Sequence, residues 1–465
     1  MSEIKVNIPV GLACAYDRNY KIPEHIELIN NALMNVVSGK TKRLMINMPP
    51  RHGKSELISK YFPAWYLLNY PDKRIILTSY EADFASSWGR KVRDLINEYG
   101  AVFDAKLRND SKAGHRFELK EGGQLNTAGV GGAITGKGAD ILIIDDPIKN
   151  IEEASSVTIR NKVWDWYVST AYTRLEPDGA IILIMTRWHF DDLAGRILAN
   201  DANNEWTVLS LPAIDDNNNA LWPGRFDLQK LQTIKENIGS QFFSALYQQI
   251  PLSADNQIFK FSYWKFYRDL PKFITVFQSW DTAIKTKETN DFSVCLTIGV
   301  ANDGLYILDL FRSKLEFPDL LKVVQFKASE YDVSSILIED KSSGQGLIQT
   351  LRRETSLVIK DVQVSGDKVL RANLFAPLLE AGKVFLPDVN MFPDKSAWLN
   401  QFLSETEKFP LAPHDDIVDA LTQTQNYYKS LTATIPKYND VLETINKRYF
   451  NINNQGKRIN GKSVF

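Results

Sequence analysis

Several residue groups in this sequence are of the kind that do chemistry on phosphate. Gly53-Lys54-Ser55 closes the loop of RLMINMPPRHGKSELISKYFPAWYL, which begins at Arg43. Such a loop binds phosphate because backbone N–H groups and a helix N-terminus point at the anion, while the lysine reaches the outer phosphates and the hydroxyl holds Mg²⁺. Lys54 and Ser55 supply those groups, and Gly53 lets the backbone come close. Met48 stands where the usual spacing has its first glycine, a departure that Pro49-Pro50 offset by restricting φ. His52 belongs to the same loop, and Arg51 is a candidate for contact with a γ-phosphate in cis. The partner of such a loop is an acid at the end of an apolar strand, and ILIIDD provides it. Asp145 is the candidate carboxylate for Mg²⁺, and Asp146 the candidate for polarising the attacking water. Asp146 is shorter by a methylene than the Glu that usually stands there. Thr186 and Arg187 end a further apolar strand, where a γ-phosphate sensor would stand.

Another set is acidic. Two-metal hydrolysis of a phosphodiester needs carboxylates converging on ions ~4 Å apart, and Mg²⁺ or Mn²⁺ prefers oxygen ligands. Asp281 follows FITVFQSW, Glu339 ends the strand ILIE, and HDDIVDAL opens a helix with Asp415, Asp416 and Asp419. Asp415 and Asp419 share a helix face, whereas Asp416 lies about a hundred degrees round from Asp415. Asp416 is the favoured ligand, then Asp415, with Asp419 as a supporting acid. Each acid also has a plainer use as a helix cap, a turn former or a partner of Lys341. Asp291 and His414 are additional candidates.

These residues need elements to hold them. Arg43–Asn47 reads as a strand and Ser55–Asn69 as a helix entered straight from the loop. Apolar runs at Arg74–Tyr80, Asp140–Asp146, Ala180–Thr186 and Trp206–Ala213 alternate with helical stretches at Phe84–Tyr99 and Thr158–Leu175. That alternation predicts a mostly parallel sheet covered on both faces. Asp227–Gln249 reads as helical up to Pro251. Beyond it FITVFQSWDTA, FSVCLTIGVA and GLYILDLFRS follow as strands, the last two joined by the hairpin signal Asn302–Gly304. A helix (Pro318–Tyr331), a strand (Ile336–Glu339), a helix (Gly346–Thr355) and a strand (Leu357–Val364) come next. Three antiparallel strands followed by alternating α/β is a ribonuclease H-like order.

The expected division is 1–250, a linker at 251–262, 263–432, and a mobile tail at 433–465. The net charge of −1 exerts no global pull on DNA, so contact with nucleic acid would need local basic groups. Candidates are Arg352–Glu354, the loop at Lys285–Lys287 and the tail lysines. Cys14 and Cys295 match no metal spacing and read as reduced thiols. No window is apolar enough for a membrane span, and the protein is expected to stay where it is made. Trp164, Trp166, Tyr167 and Tyr172 read as core packing in preference to base stacking.

Taken together, PPRHGKSE, ILIIDDP, IMTRWHFDDLAGRI, ALWPGRF, FSALYQQIP, SWDTA, ILIEDKSSGQG and HDDIVDAL resemble the large terminase subunit of tailed bacteriophages, over about Tyr20 to Tyr428. The resemblance implies an α/β P-loop ATPase domain that drives double-stranded DNA into a prohead, followed by a ribonuclease H-like, Mg²⁺-dependent nuclease. It further implies a ring of five copies on a portal protein, a separate small terminase subunit, and work in the cytoplasm of a bacterial host. A helicase or repair nuclease would carry both sites without a portal. A non-catalytic ATP-binding scaffold would bind DNA without cutting it.

Overall fold

In a strand covered on both faces, alternate residues feed two different cores, and the apolar runs of the first half do so. A computed structural model of the chain describes residues 6–132, 134, 136–201, 203, 205–251, 257–283, 292–364 and 367–434. Asp291, the Lys285–Lys287 loop and the tail lysines lie outside the described residues. The chain divides into two units, Met1–Ile258 with Gly366–Ala381, and Phe259–Ser365 with Gly382–Phe465.

The strands of the first unit are β1 (Arg43–Asn47), β2 (Arg74–Ser79), β3 (Leu107–Ala113), β4 (Arg116–Leu119), β5 (Gln124–Gly129), β6 (Ala139–Asp145), β7 (Leu175–Met185) and β8 (Thr207–Ser210). They make one sheet in the order β3-β4-β5-β2-β6-β7-β1-β8. All neighbours from β5 to β8 are parallel, and β3 and β4 add an antiparallel edge. Ile46, Ile75, Leu77, Ile141, Ile143, Ile182 and Ile184 face a core with the helices Glu24–Val37, Phe62–Asn69 and Ala82–Phe103. Met45, Ile76, Leu142, Ile144, Ile181, Leu183 and Met185 face another, with Val157–Trp166 and Leu193–Ala199. The order puts β7 between β1 and β6, so the ends carrying Lys54, Thr186 and Asp145 stand side by side.

Of three expected helical stretches, two change their winding and one is broken. The run after the loop is helical throughout, as expected, but winds as a π-helix over Glu56–Tyr61 before the α-helix that starts beside Pro63, a residue tolerated only in a helix's first turn. The stretch expected to be helical to Leu175 is so to Arg174, though it leaves the α form after Trp166 for a wider and then a tighter winding before β7 begins at Leu175. Trp166 and Tyr167 are buried in the second of the cores above and Trp164 packs against it, whereas Tyr172 lies at the surface under Arg43. Asp227–Gln249 divides into Leu228–Ile238 and Ser240–Leu246 at Gly239, whose φ of 84° and ψ of 161° are open to glycine alone. A Cβ there would also lie 2.7 Å from Pro377 Cγ. Gly239→Ala is therefore expected to destabilise the protein by about 1–3 kcal/mol, read as a lower melting temperature.

The second unit holds β9 (Lys265–Tyr267), β10 (Thr275–Asp281), β11 (Ser293–Ala301), β12 (Gly304–Ser313), β13 (Ser335–Glu339), β14 (Ile359–Val362) and β15 (Val384–Pro387). Their order is β14-β13-β10-β11-β12-β15-β9. β11 runs antiparallel to both β10 and β12, and β13 lies parallel to β10. Trp280, Ile336 and Ile338 face the helices Phe317–Tyr331 and Ser342–Glu354. The other face carries Asp416–Thr422, tied down where Ser279 Oγ donates to Ala420 O at 2.6 Å and Gln423 Nε2 donates to Trp280 O at 3.0 Å. Cys14 and Cys295 are both free thiols. No helix among the described residues is long and apolar enough to cross a membrane.

Candidate functional site

At the end of β1 the chain runs through Met48 to Gly53 and then turns helical. Met48 is fully buried and prolongs the strand, its N–H directed to Met185 O at 3.3 Å. The left-handed turns that a glycine would ease fall later, at Arg51 (φ 64°) and Gly53 (φ 93°). A Cβ on Gly53 would meet Ile26 Cδ1 at 3.2 Å. This is how the loop does without its first glycine.

The Lys54 ammonium is buried and donates to Asp146 Oδ1 at 2.8 Å and to Thr186 Oγ1 at 2.5 Å. Asp146 is itself in left-handed backbone (φ 46°), and its Oδ1 also accepts the Thr186 N–H at 2.9 Å. The ends of β1, β6 and β7 are thus fastened to one another through Lys54, Asp146 and Thr186. Asp145 lies beneath them with no exposed surface, accepting Ser55 Oγ at 3.0 Å and Ser59 Oγ at 2.7 Å. Burial, and then the neighbouring Asp146 carboxylate, push the Asp145 carboxyl up to about 7. A carboxylate so held gains from a divalent cation, and the Ser55 hydroxyl beside it completes a hard-oxygen pair that fits Mg²⁺. Arg51 is exposed and lines the same cleft of ≈ 690 Å³ as Lys54, Ser55, Asp146 and Thr186. Arg187 is turned away, its Nε donating to the buried Asp192 at 2.8 Å.

In the second unit, Trp280 of β10 pairs with Ile338 of β13, so Asp281 and Glu339 follow side by side on one face of the sheet. The row continues from Asp281 to Val294 and on to Arg312. Arg312 Nη2 reaches Asp416 Oδ2 at 3.3 Å on the helix that covers this face. The strand ends and this contact therefore bring Asp281, Glu339 and Asp416 to the same edge of the same layer. Among the described residues no three acidic, histidine or cysteine side chains make a ready metal-ligand set. Two of the acids are turned onto cations instead, Asp416 to Arg312 and Glu339 to Lys341 at 2.7 Å. Asp415 precedes the helix and Asp419 is buried within it, its N–H on Asp415 O. His414 is exposed, edge-on to Phe292. Arg352 pairs with Asp361 and Arg353 with Glu354.

The family model for the N-terminal part of the T4likevirus-type terminase large subunit matches residues 45–265, and the terminase RNaseH-like domain matches residues 278–427. The chain belongs to the terminase large subunit family. Among solved structures, the large terminase from a thermophilic bacteriophage in complex with ATP-gamma-S is 13% identical to this terminase, covering 85% of it and 98% of its own chain, with a TM-score of 0.46. The HK97 bacteriophage large terminase is 11% identical over 79% and 86% of the two chains, with a TM-score of 0.37. The large terminase nuclease from thermophilic phage G20c with bound magnesium is 16% identical over 33% and 80%, with a TM-score of 0.26. Among curated proteins, none matches the chain in sequence.

Sequence reasoning passed over the residues that brace the terminase's loop. His25, buried on the helix before β1, places Nε2 2.9 Å from His52 O and Nδ1 3.2 Å from Leu221 O. It ties the loop to the segment carrying Trp222 and Arg225. Those two residues, with Tyr20, Ile26, Tyr61 and Gly53, line a second cleft of ≈ 500 Å³ next to the first. Only the aromatic and arginine content of ALWPGRF hinted at this in the sequence.

His52 is fully buried, stacked on Phe226 at 4.7 Å, with Nδ1 2.9 Å from Pro50 O and no partner for Nε2. Nδ1 is accordingly the protonated nitrogen. Burial, then the positive charges of His25, Arg225 and Lys54, hold the imidazole down to about 4, against the Pro50 hydrogen bond. A histidine lowered in the folded state contributes stability that is whole above its unfolded value of 6.5 and is lost as pH falls towards 4. Asp145 and Glu405, both raised, act in the opposite sense over this range. His52→Asn keeps a donor for Pro50 O but cannot charge. The fall in melting temperature between pH 7.5 and 5 is expected to be smaller in that variant, by on the order of 2 kcal/mol in stability.

Proposed function

We propose that this terminase is the motor and nuclease of viral DNA packaging. Residues 1–250 hydrolyse ATP to move double-stranded DNA into a prohead, and residues 263–432 cut it with Mg²⁺ or Mn²⁺. The observation that carries the motor half is the convergence of Lys54, Asp146 and Thr186 over the Ser55–Asp145 pair, at adjacent strand ends. Lys54 neutralises the outer phosphates, and the backbone from Arg51 to Ser55 cradles them. Ser55 and Asp145 would hold Mg²⁺, which would supply neutralisation of the charge that develops on the phosphates. Asp146 orients water, with Thr186 reporting whether Lys54 has left it for a phosphate. The adenine is assigned to the cleft of Tyr20, Tyr61 and Trp222, whose aromatic faces suit a flat base.

The nuclease half is supported by the row that sets Glu339 beside Asp281 and by the approach of Asp416. All are oxygen donors of the kind that hold two hard cations, one activating water and one stabilising the leaving oxygen. Of the basic candidates for a DNA path, Arg352 and Arg353 are both exposed, Arg352 paired with Asp361 and bonded to Ile359 O and Arg353 paired with Glu354. A ring of copies on a portal protein, a small terminase subunit that selects DNA, and action in the host cytoplasm complete the proposal on the strength of the family. The test is ATP turnover and plasmid digestion by the purified chain with Mg²⁺ or Mn²⁺. Absence of both activities from the wild-type protein, with DNA binding retained, would leave a non-catalytic scaffold.

A further inference from the structure

Arg312 was not singled out in the sequence, yet it stands in the row of the proposed cutting acids. It follows Asp281 and Val294 across the sheet, with its guanidinium over the Phe292 ring at 4.2 Å. Its Nη2 lies 3.3 Å from Asp416 Oδ2 and its Nη1 3.3 Å from Glu405 Oε2, and both carboxylates are buried. Glu405 has a second task. Its Oε1 accepts the N–H groups of Ile417 and Val418, at 2.6 and 3.3 Å, in the first turn of the helix that carries Asp416. One carboxylate therefore fixes where that helix begins and also takes half of the arginine that touches Asp416.

We propose that Arg312 is a built-in competitor for the divalent cation at Asp416, and that Glu405 is a positioning residue that sets the strength of the competition by sharing Arg312's charge. This rests on the proposal that Asp416 binds metal. A guanidinium is always charged and a metal ion seeks the same carboxylate oxygen, so the two exclude or weaken each other. Charge on Glu405 draws the guanidinium aside, and Asp416 is then given up more readily to metal. The nuclease would engage its cation only above a threshold set by this pair of residues, independently of the nucleotide site.

The test is a double-mutant cycle on the full chain, with Mn²⁺ affinity from calorimetric titration and the Mn²⁺ concentration for half-maximal plasmid cutting. Glu405→Gln keeps an acceptor for Ile417 and Val418 but not the charge. It is expected to weaken Mn²⁺ binding about tenfold. Arg312→Gln is expected to tighten it, and adding Glu405→Gln in that background is expected to have no further effect. ATP turnover and the circular dichroism spectrum check that each variant is folded. A Glu405→Gln effect of the same size with or without Arg312 overturns the inference, because the glutamate would then act on the metal directly. Weaker binding in Arg312→Gln also overturns it. If Asp416→Ala binds Mn²⁺ as the wild type does, Asp416 is not a ligand and the site assignment fails first. If that variant loses the metal while Glu405→Gln binds normally, only the coupling fails.

Discussion

Lys54→Ala is expected to lower ATP turnover by at least about a hundredfold while leaving Mn²⁺-dependent plasmid cutting at its wild-type rate. The size follows from the contacts of the ammonium. It is buried, and it bonds to Asp146 and Thr186, the residues that follow two separate strands. Arg187, the cation that follows Thr186, cannot take its role because Asp192 holds it. The loop itself is expected to survive the substitution. Its shape comes from Pro49-Pro50, from His52 on Pro50 O and Phe226, and from the left-handed backbone of Gly53. Asp146 keeps the Thr186 N–H. A coupled phosphate-release assay, beside a thermal melt showing an intact fold, checks the result. Turnover within tenfold of wild type would remove Lys54 from the phosphate site.

Legibility followed burial. The strands most readily read, β6, β11 and the Ala180–Met185 end of β7, are those whose residues are nearly all buried, so that an unbroken apolar run has only one comfortable home. β3 and β4 form an exposed edge with Arg108, Asp110, Arg116 and Glu118 in surface ion pairs, and such strands carry no apolar run to find. β9 and β15, of three and four residues, are too short for alternation to register. Helix breaks were hidden for a related reason. Pro63 and Gly239 were visible, but whether a proline bends a helix or opens one depends on what the wide turn before it packs against. In the sites, residues that act by charge at strand ends were readable because phosphate and metal chemistry restricts their types. Those that act on other residues were not. His25, Arg312 and Glu405 each depend on partners far off in sequence, and nothing local distinguishes a buried Glu that caps a distant helix from a surface one.

Asp281→Ala is expected to remove plasmid cutting by about a hundredfold or more and to leave ATP turnover unchanged, the reverse of Lys54→Ala. Asp416→Ala is expected to do the same, for a different physical reason. Asp281 ends β10 beside Glu339, so its loss takes one of two adjacent donors and leaves the strand pairing intact. Asp416 arrives from the helix, and its loss leaves the half-buried Arg312 with Glu405 as its remaining charged neighbour among those described above. A modest drop in stability thus accompanies Asp416→Ala, and Asp416→Asn, which keeps an oxygen for Arg312, separates lost stability from lost cutting. Asp419 supplies the control. It lies buried a turn further along the helix, whose remaining contacts hold it to Ser279 and Trp280 of β10. Asp419→Asn is expected to change cutting by less than about tenfold. A cutting rate in Asp419→Asn as low as in Asp416→Ala would instead place the metal deeper along the helix, one turn beyond the row that Asp281, Glu339 and Arg312 define.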